Sequence, residues 1–230
     1  MFAVIFIVRP KAERFNDYLD LAKFLKPKLE AIDGFIDNDR FESKRQKGRV
    51  LSLSTWRDEK SVVRWRTQGE HHGVQEKGRF EIFEDYHLSV GEITDDTDPP
   101  KGLHVEQQHF DATETGSAKL TTITELEPAR KGALDAIADG LPRQLGLDSG
   151  RDGLADTETF ESIYHPGKLL LLASWRDADS ASEWTPKKPA GAKSVRHRRV
   201  RIIRDYGMFD RREAPQYYPE VERPQRAAAE

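Results

Sequence analysis

The chain opens with an unbroken apolar run, "FAVIFIV" (Phe2 to Val8), stopped by Arg9 and Pro10. A short β-branched and aromatic run ended by proline reads as a strand buried on one or both faces. The period then changes. In "AERFNDYLDLAKFL" the positions Phe15, Tyr18, Leu19, Ala22 and Leu25 share one stripe with charge opposite, the mark of an amphipathic helix. Pro27 is expected to end or kink it. "GFIDNDRFESK" alternates loosely, and "RVLSLSTW" alternates clearly, with Val50 facing away from Leu51 and Leu53. Asp58 is a natural cap for a second helix that turns Val62, Val63 and Trp65 inward and continues to His71 and His72. "GRFEIFEDYHLSVGEI" is the last strand, so the order is β-α-β-β-α-β.

The pattern then returns. A shift of 119 residues lays Phe41–Trp65 on Phe160–Trp184, and 11 of those 25 positions are identical. The gene has been duplicated and fused. In the second half "KLTTITELE" is the first strand and "PARKGALDAIADGL" the helix, with Pro128 in its first turn. "GRDGLADTETFES", "KLLLLASW", "DADSASEW" and "RHRRVRIIRDYGMF" complete the copy. The expected organisation is unit 1 at 1–93, a Pro- and acid-rich linker at 94–117, unit 2 at 118–210 and a tail at 211–230. Tyr217 and Tyr218 could wrap that tail on the body, with the last ten residues or so disordered. A β-α-β-β-α-β unit carries both helices on one face of its sheet and leaves the other bare. The expected fold is therefore α+β, two tandem ferredoxin-like units packed sheet to sheet as an intramolecular dimeric α/β barrel.

Composition narrows the setting. Charged residues make up 33% and hydrophobic ones 37%, as in a globular protein, and no apolar run is long enough to cross a bilayer. The apolar N-terminus lacks the basic start and cleavage site of a signal peptide. With no cysteine there is no disulfide or thiolate site, which points to the cytoplasm. A net charge of -3 gives no reason to expect nucleic acid or membrane as a partner.

The words "SLSTWRDEKSVVRWRTQGEHHGVQEKGRFEIFEDYHLSV" resemble the antibiotic biosynthesis monooxygenase superfamily: strand, Trp-Arg-Asp, helix, Trp, one or two His, Gln, Gly-Arg, then a strand with Asp-Tyr. The likeness covers Phe2 to Ile93, then Phe160 to Trp184 and "RDYGMF". It implies a pocket between sheet and helices in which a small aromatic or polyketide-like substrate is oxidised by molecular oxygen with no cofactor and no metal. Trp56, Trp65 and Tyr86 would bind substrate; His71, His72 and Gln75 would be the catalytic groups, only one of the adjacent histidines facing the pocket. Each has a plainer reading as packing or surface. The His-His-x-x-Gln is absent from unit 2, so the active pocket is expected in unit 1, with unit 2 degenerate and structural. The superfamily also includes haem-degrading enzymes, which use an Asn on the first strand that "FAVIFIVRP" lacks. A haem-binding role and a non-catalytic small-molecule-binding or stress-related module are the alternatives. Whether the pseudo-dimer pairs again as a homodimer stays open. A basic stretch, "SVRHRRVRIIR", is either an anion site or a solvated strand face.

Overall fold

Alternation in strand β1 (Phe2–Pro10) divides the molecule into an inside and an outside: Ala3 and Ile5 face one way, Phe2, Val4 and Val8 the other. The computed structural model describes residues 1–223; the disorder expected at the end of the tail concerns, for 224–230, a segment outside the described residues. The following elements are helix α1 (Phe15–Glu30), β2 (Phe35–Ser43), β3 (Val50–Trp56), α2 (Glu59–Thr67), α3 (Gly69–Lys77) and β4 (Phe83–Asp96). The second half contributes β5 (Leu120–Pro128), α4 (Leu141–Gln144), β6 (Leu154–Ser162), β7 (Leu169–Trp175), α5 (Ala178–Ser182) and β8 (Ala192–Gly207).

The eight strands close into one antiparallel barrel in the order β1-β3-β2-β6-β7-β5-β8-β4. Each half supplies four, and the halves are sewn together at two seams, β2 to β6 and β4 to β8. This is the expected α+β plan of ferredoxin-like units fused in tandem. The inward set, including Ala3, Ile5, Leu51, Leu53, Ile123, Leu170 and Val200, forms one continuous barrel core, while the helices cover the outside.

One group of charges is buried with that core. Arg198 is fully enclosed between Glu125 and the Thr55 hydroxyl, 3.0 Å away, and Lys168 reaches Glu125 at 2.7 Å and Asp39 at 3.2 Å. Arg196 pairs with Asp96 at 2.7 Å, Arg199 with Asp95 at 3.5 Å, and Arg201 donates to the His109 carbonyl. Arg196, Arg198, Arg199 and Arg201 are thus neither an anion site nor a solvated face, because each is already matched. Arg204, at the end of the stretch, has no such partner among the described residues.

Three local expectations change. Helix α1 runs through Pro27 to Glu30, because a proline so near the C-terminus removes only one of its last hydrogen bonds. The long helix expected over 128–141 is replaced by a 3-10 stretch, Asp135–Gly140, and the single turn α4. Gly132, at φ +74°, cannot lie in a right-handed helix, and Pro128 ends β5 instead of starting a helix. The helix expected to run on from Trp65 breaks at Gln68, whose ψ is 127°. Both Trp-Arg-Asp caps form as expected: Asp58 accepts from the Ser61 amide and Asp177 from the Ser180 amide, each at 2.8 Å.

Candidate active site

The break at Gln68 makes the site. Its side-chain carbonyl accepts from the His71 amide at 2.6 Å and so starts α3 in a new direction. The turn folds His71 back over Trp65, with ring centres 4.0 Å apart and planes 15° from parallel. The His71 Nδ1–H donates to the Trp65 carbonyl at 2.9 Å. A carbonyl can only accept, so the proton sits on Nδ1 and Nε2 is left with a lone pair. Burial pulls the imidazole pKa down to about 4, only partly opposed by that hydrogen bond. His71 is neutral at pH 7.

Trp65 and His71 line a cavity of ≈ 190 Å³ between the outer face of β1–β4 and helices α1, α2 and α3. Aliphatic side chains such as Val4, Leu25, Leu29, Val62 and Val90 are the largest group in its wall, with Phe6, Phe83, Tyr18, Tyr206 and Trp65 the aromatic part. Polar groups enter from β2, where Asn38 and Arg40 face the helices. Asn38 Nδ2 donates to Ser52 Oγ at 3.1 Å and to the Leu53 carbonyl at 2.9 Å, and its Oδ1 accepts from Arg40 at 3.1 Å. Two more come from unit 2. The pairing of β4 with β8 skips a residue, Val90 facing Arg204 while Gly91 faces Ile202. Up to Ile202 the even residues of β8 point into the barrel; past the bulge Arg204 and Tyr206 point into the cavity. Gly91 permits this, since a Cβ there would lie 2.4 Å from the Arg201 carbonyl oxygen. Burial raises the Tyr206 phenol to about 12 and pushes the Tyr18 phenol up as well, so both stay protonated donors.

Of the residues singled out from the sequence, His71, Gln75 and Trp65 meet at this cavity. His72 points away, its Nδ1 3.2 Å from the Tyr218 hydroxyl and its ring stacked on that tyrosine. Two of the residues expected to bind substrate, Trp56 and Tyr86, do not line this cavity. Trp56 is fully buried, two residues beyond Ser54 on the same face, where Leu29 and Val62 close the space; its indole N–H donates to Ser54 Oγ at 2.9 Å. Tyr86 lies under the tail, its hydroxyl accepting from Arg79 at 3.2 Å and Arg211 at 2.8 Å. Reasoning from the sequence missed Asn38 and Arg40, whose signal was polar residues on the strand face that meets helices. It also missed Arg66 and Arg204.

The tail forms part of the enclosure. Arg79, 2% exposed, donates to the carbonyls of Met208 (2.7 Å) and Pro219 (3.0 Å). The Glu213 carboxylate accepts from the Thr113 hydroxyl and the amides of Glu114, Thr115 and Asp205. Between these anchors Pro215 lines the cavity and Gln216 donates to Gln75 Oε1 at 3.5 Å. The matching space of unit 2 is filled. Leu134, Leu141, Leu145 and Trp184 pack there, and the Trp184 indole N–H donates to the Leu145 carbonyl at 3.3 Å.

The cavity has the volume of a small guest: an apolar space of about 150 Å³ holds one benzene. Among the described residues no cluster of three or more His, Asp or Glu is placed to hold a metal ion.

Residues 1–77 match the family model described as antibiotic biosynthesis monooxygenase. Across 224 residues the chain is 44% identical to a protein of Pyricularia oryzae named Jasmonate monooxygenase ABM, covering 95% of this chain and 99% of that one. The chain belongs to the antibiotic biosynthesis monooxygenase family. Its barrel is also similar to two solved aldoxime dehydratases, one in complex with butyraldoxime. They show TM-scores of 0.55 and 0.54 at 12% identity, covering 88% of this chain and 79% and 81% of theirs. At that identity the likeness shows the fold alone. The cavity beside His71 lies where the sheet and the helices of the first half face each other.

Proposed function

We propose that this chain is a monooxygenase that oxidises a small, mainly apolar molecule in the unit 1 cavity, using molecular oxygen and no bound cofactor. The observation that carries this reading is the cavity lined by a neutral His71 whose Nδ1 is engaged by the Trp65 carbonyl. In this reading unit 1 (1–93) is the catalytic half, 94–117 a linker, 118–210 the scaffold and 211–230 the strap over the cavity. His71 and Gln75 handle the substrate's polar atoms, and Trp65 packs on its body. One oxygen atom enters the substrate and the other leaves as water. Where a methylene becomes a ketone, the substrate supplies all four electrons: its two hydrogens leave with one oxygen atom as water, and the other oxygen atom stays on the carbon. Simple hydroxylation needs two further electrons from a reductant.

Two substrate classes compete. An electron-rich phenol or anthrone must lose a proton first, and a base whose conjugate acid has a pKa of about 4 is poorly matched to a phenol near 10. The gap of about 6 units opposes full transfer by about 8 kcal/mol. The name of the 44% identical relative, with a wall in which aliphatic side chains outnumber aromatic ones, favours a jasmonate, a non-planar cyclopentanone acid, as the substrate. The test is oxygen uptake and product analysis by chelator-treated protein with jasmonate and, in parallel, an anthrone, each with and without a reductant. Turnover that falls at least tenfold in His71→Ala and stays near parent level in His72→Ala is the expected result. No turnover of either compound under any condition would leave a small-molecule-binding module.

A further inference from the structure

The cavity is lined by three guanidiniums, Arg40, Arg66 and Arg204, against a single carboxylate, Glu59. Glu59 is itself 3.2 Å from His109 Nε2. Arg40 is dressed by Asn38 Oδ1 at 3.1 Å. Arg66 and Arg204 differ from their neighbours: among the described residues neither side chain makes an ion pair or a hydrogen bond, whereas Arg57, Arg64, Arg79, Arg196, Arg198 and Arg211 all do. Arg40 is on β2 and Arg204 on β8, with β3, β1 and β4 between them in the closed barrel. Arg204 and Tyr206 stand two residues apart on β8 and line the cavity together with Arg66, and the charges of Arg66, Arg211 and Arg204 all act on the buried Tyr206 phenol. Arg66 is half-buried with no partner for its Nε, Arg204 is exposed, and a planar carboxylate is the natural partner of a guanidinium.

We propose that Arg66 and Arg204, with the Tyr206 hydroxyl beside them, form an anion subsite that takes the carboxylate of an apolar acid and lays its hydrocarbon body along Val90, Leu29 and Leu25 towards Arg40. This rests on the reading of the cavity as the substrate site. It makes Arg66 and Arg204 specificity-determining residues, reaching the substrate end that is not oxidised.

The test compares jasmonate with its methyl ester, which removes the charge and keeps the body, on the parent protein, Arg66→Gln and Arg204→Gln. The parent is expected to favour the acid at least tenfold in kcat/KM, and the ratio of acid to ester to fall towards one in each variant, mainly through KM for the acid, the size expected for a lost charge-assisted hydrogen bond. Equal use of acid and ester by the parent, or an unchanged ratio in both variants, overturns the subsite while leaving the monooxygenase reading intact. If neither compound is oxidised, that reading has failed and the subsite is judged by binding: calorimetry with decanoate and decanol must show the acid preferred by the parent and not by the variants. No preference overturns it. Melting temperatures of the variants identify any that fail to fold, and either one suffices for the comparison.

Discussion

Replacing His71 by phenylalanine should remove a pH-dependent part of the stability. The aromatic ring stays on Trp65, and the lost bond to the Trp65 carbonyl is an offset of about 1 kcal/mol that does not change with pH. The imidazole has a pKa of about 4 in the fold against a usual 6.5, so on acidification the unfolded chain takes the proton first. The contribution is fully present above pH 6.5 and is lost as the pH falls towards 4. Its full size is about 3 kcal/mol, of which about 2 kcal/mol should disappear between pH 7 and pH 4.5. Urea unfolding of parent and His71→Phe, followed by tryptophan fluorescence at several pH values across that range, measures the difference. His197, also held near 4 by burial, and His87, raised by Asp205, are present in both proteins and cancel. The gap between the two stability curves should narrow and then reverse as the pH drops. Curves that stay parallel from pH 7 to 4.5 would refute a buried, neutral His71.

Trp184→Ala should cost about 3–5 kcal/mol, because the side chain is 3% exposed and closely packed, whereas Trp65→Ala, opening an existing cavity, should cost less; thermal melts of the pair decide. Arg198→Met strands a buried carboxylate whose remaining partner is Lys168, and a loss of about 3 kcal/mol in denaturant titration is expected. Glu213→Ala removes the acceptor that ties four donors to the tail, so trypsin should cut after Arg211 or Arg212 much faster than in the parent; equal cleavage rates would mean the strap is held elsewhere.

The plan of the barrel was legible because it is written twice. The Trp-Arg-Asp caps, the alternation of β1, β3 and β7, and the bare sheet face of each unit lead to it by local rules. The site was less legible, for reasons that are geometric. A continued helix would turn His71 and His72 about 100° apart without saying which faces inward; the answer lies in one backbone angle at Gln68, set by its own side chain. Tyr206 and Arg204 reach the cavity only because a residue is skipped opposite Gly91, and a register shift leaves no mark in the alternation of either strand read alone. Trp56 and Tyr86 carried the same aromatic signal as Trp65 but are covered by Val62 and by the tail, contacts made between elements distant in sequence.

The packed interior of unit 2 has an evolutionary meaning. In a pair of separate identical chains every substitution strikes both pockets, so neither can be given up without losing the other. Joining the copies into one chain lets their histories diverge. Leucines and a tryptophan could then settle one half solidly, and the arginine and tyrosine at the far end of β8 could be lent across the seam to its neighbour. With one half packed solid and Arg204 and Tyr206 of β8 lining the cavity of the other, the two copies joined in one chain are no longer equivalent.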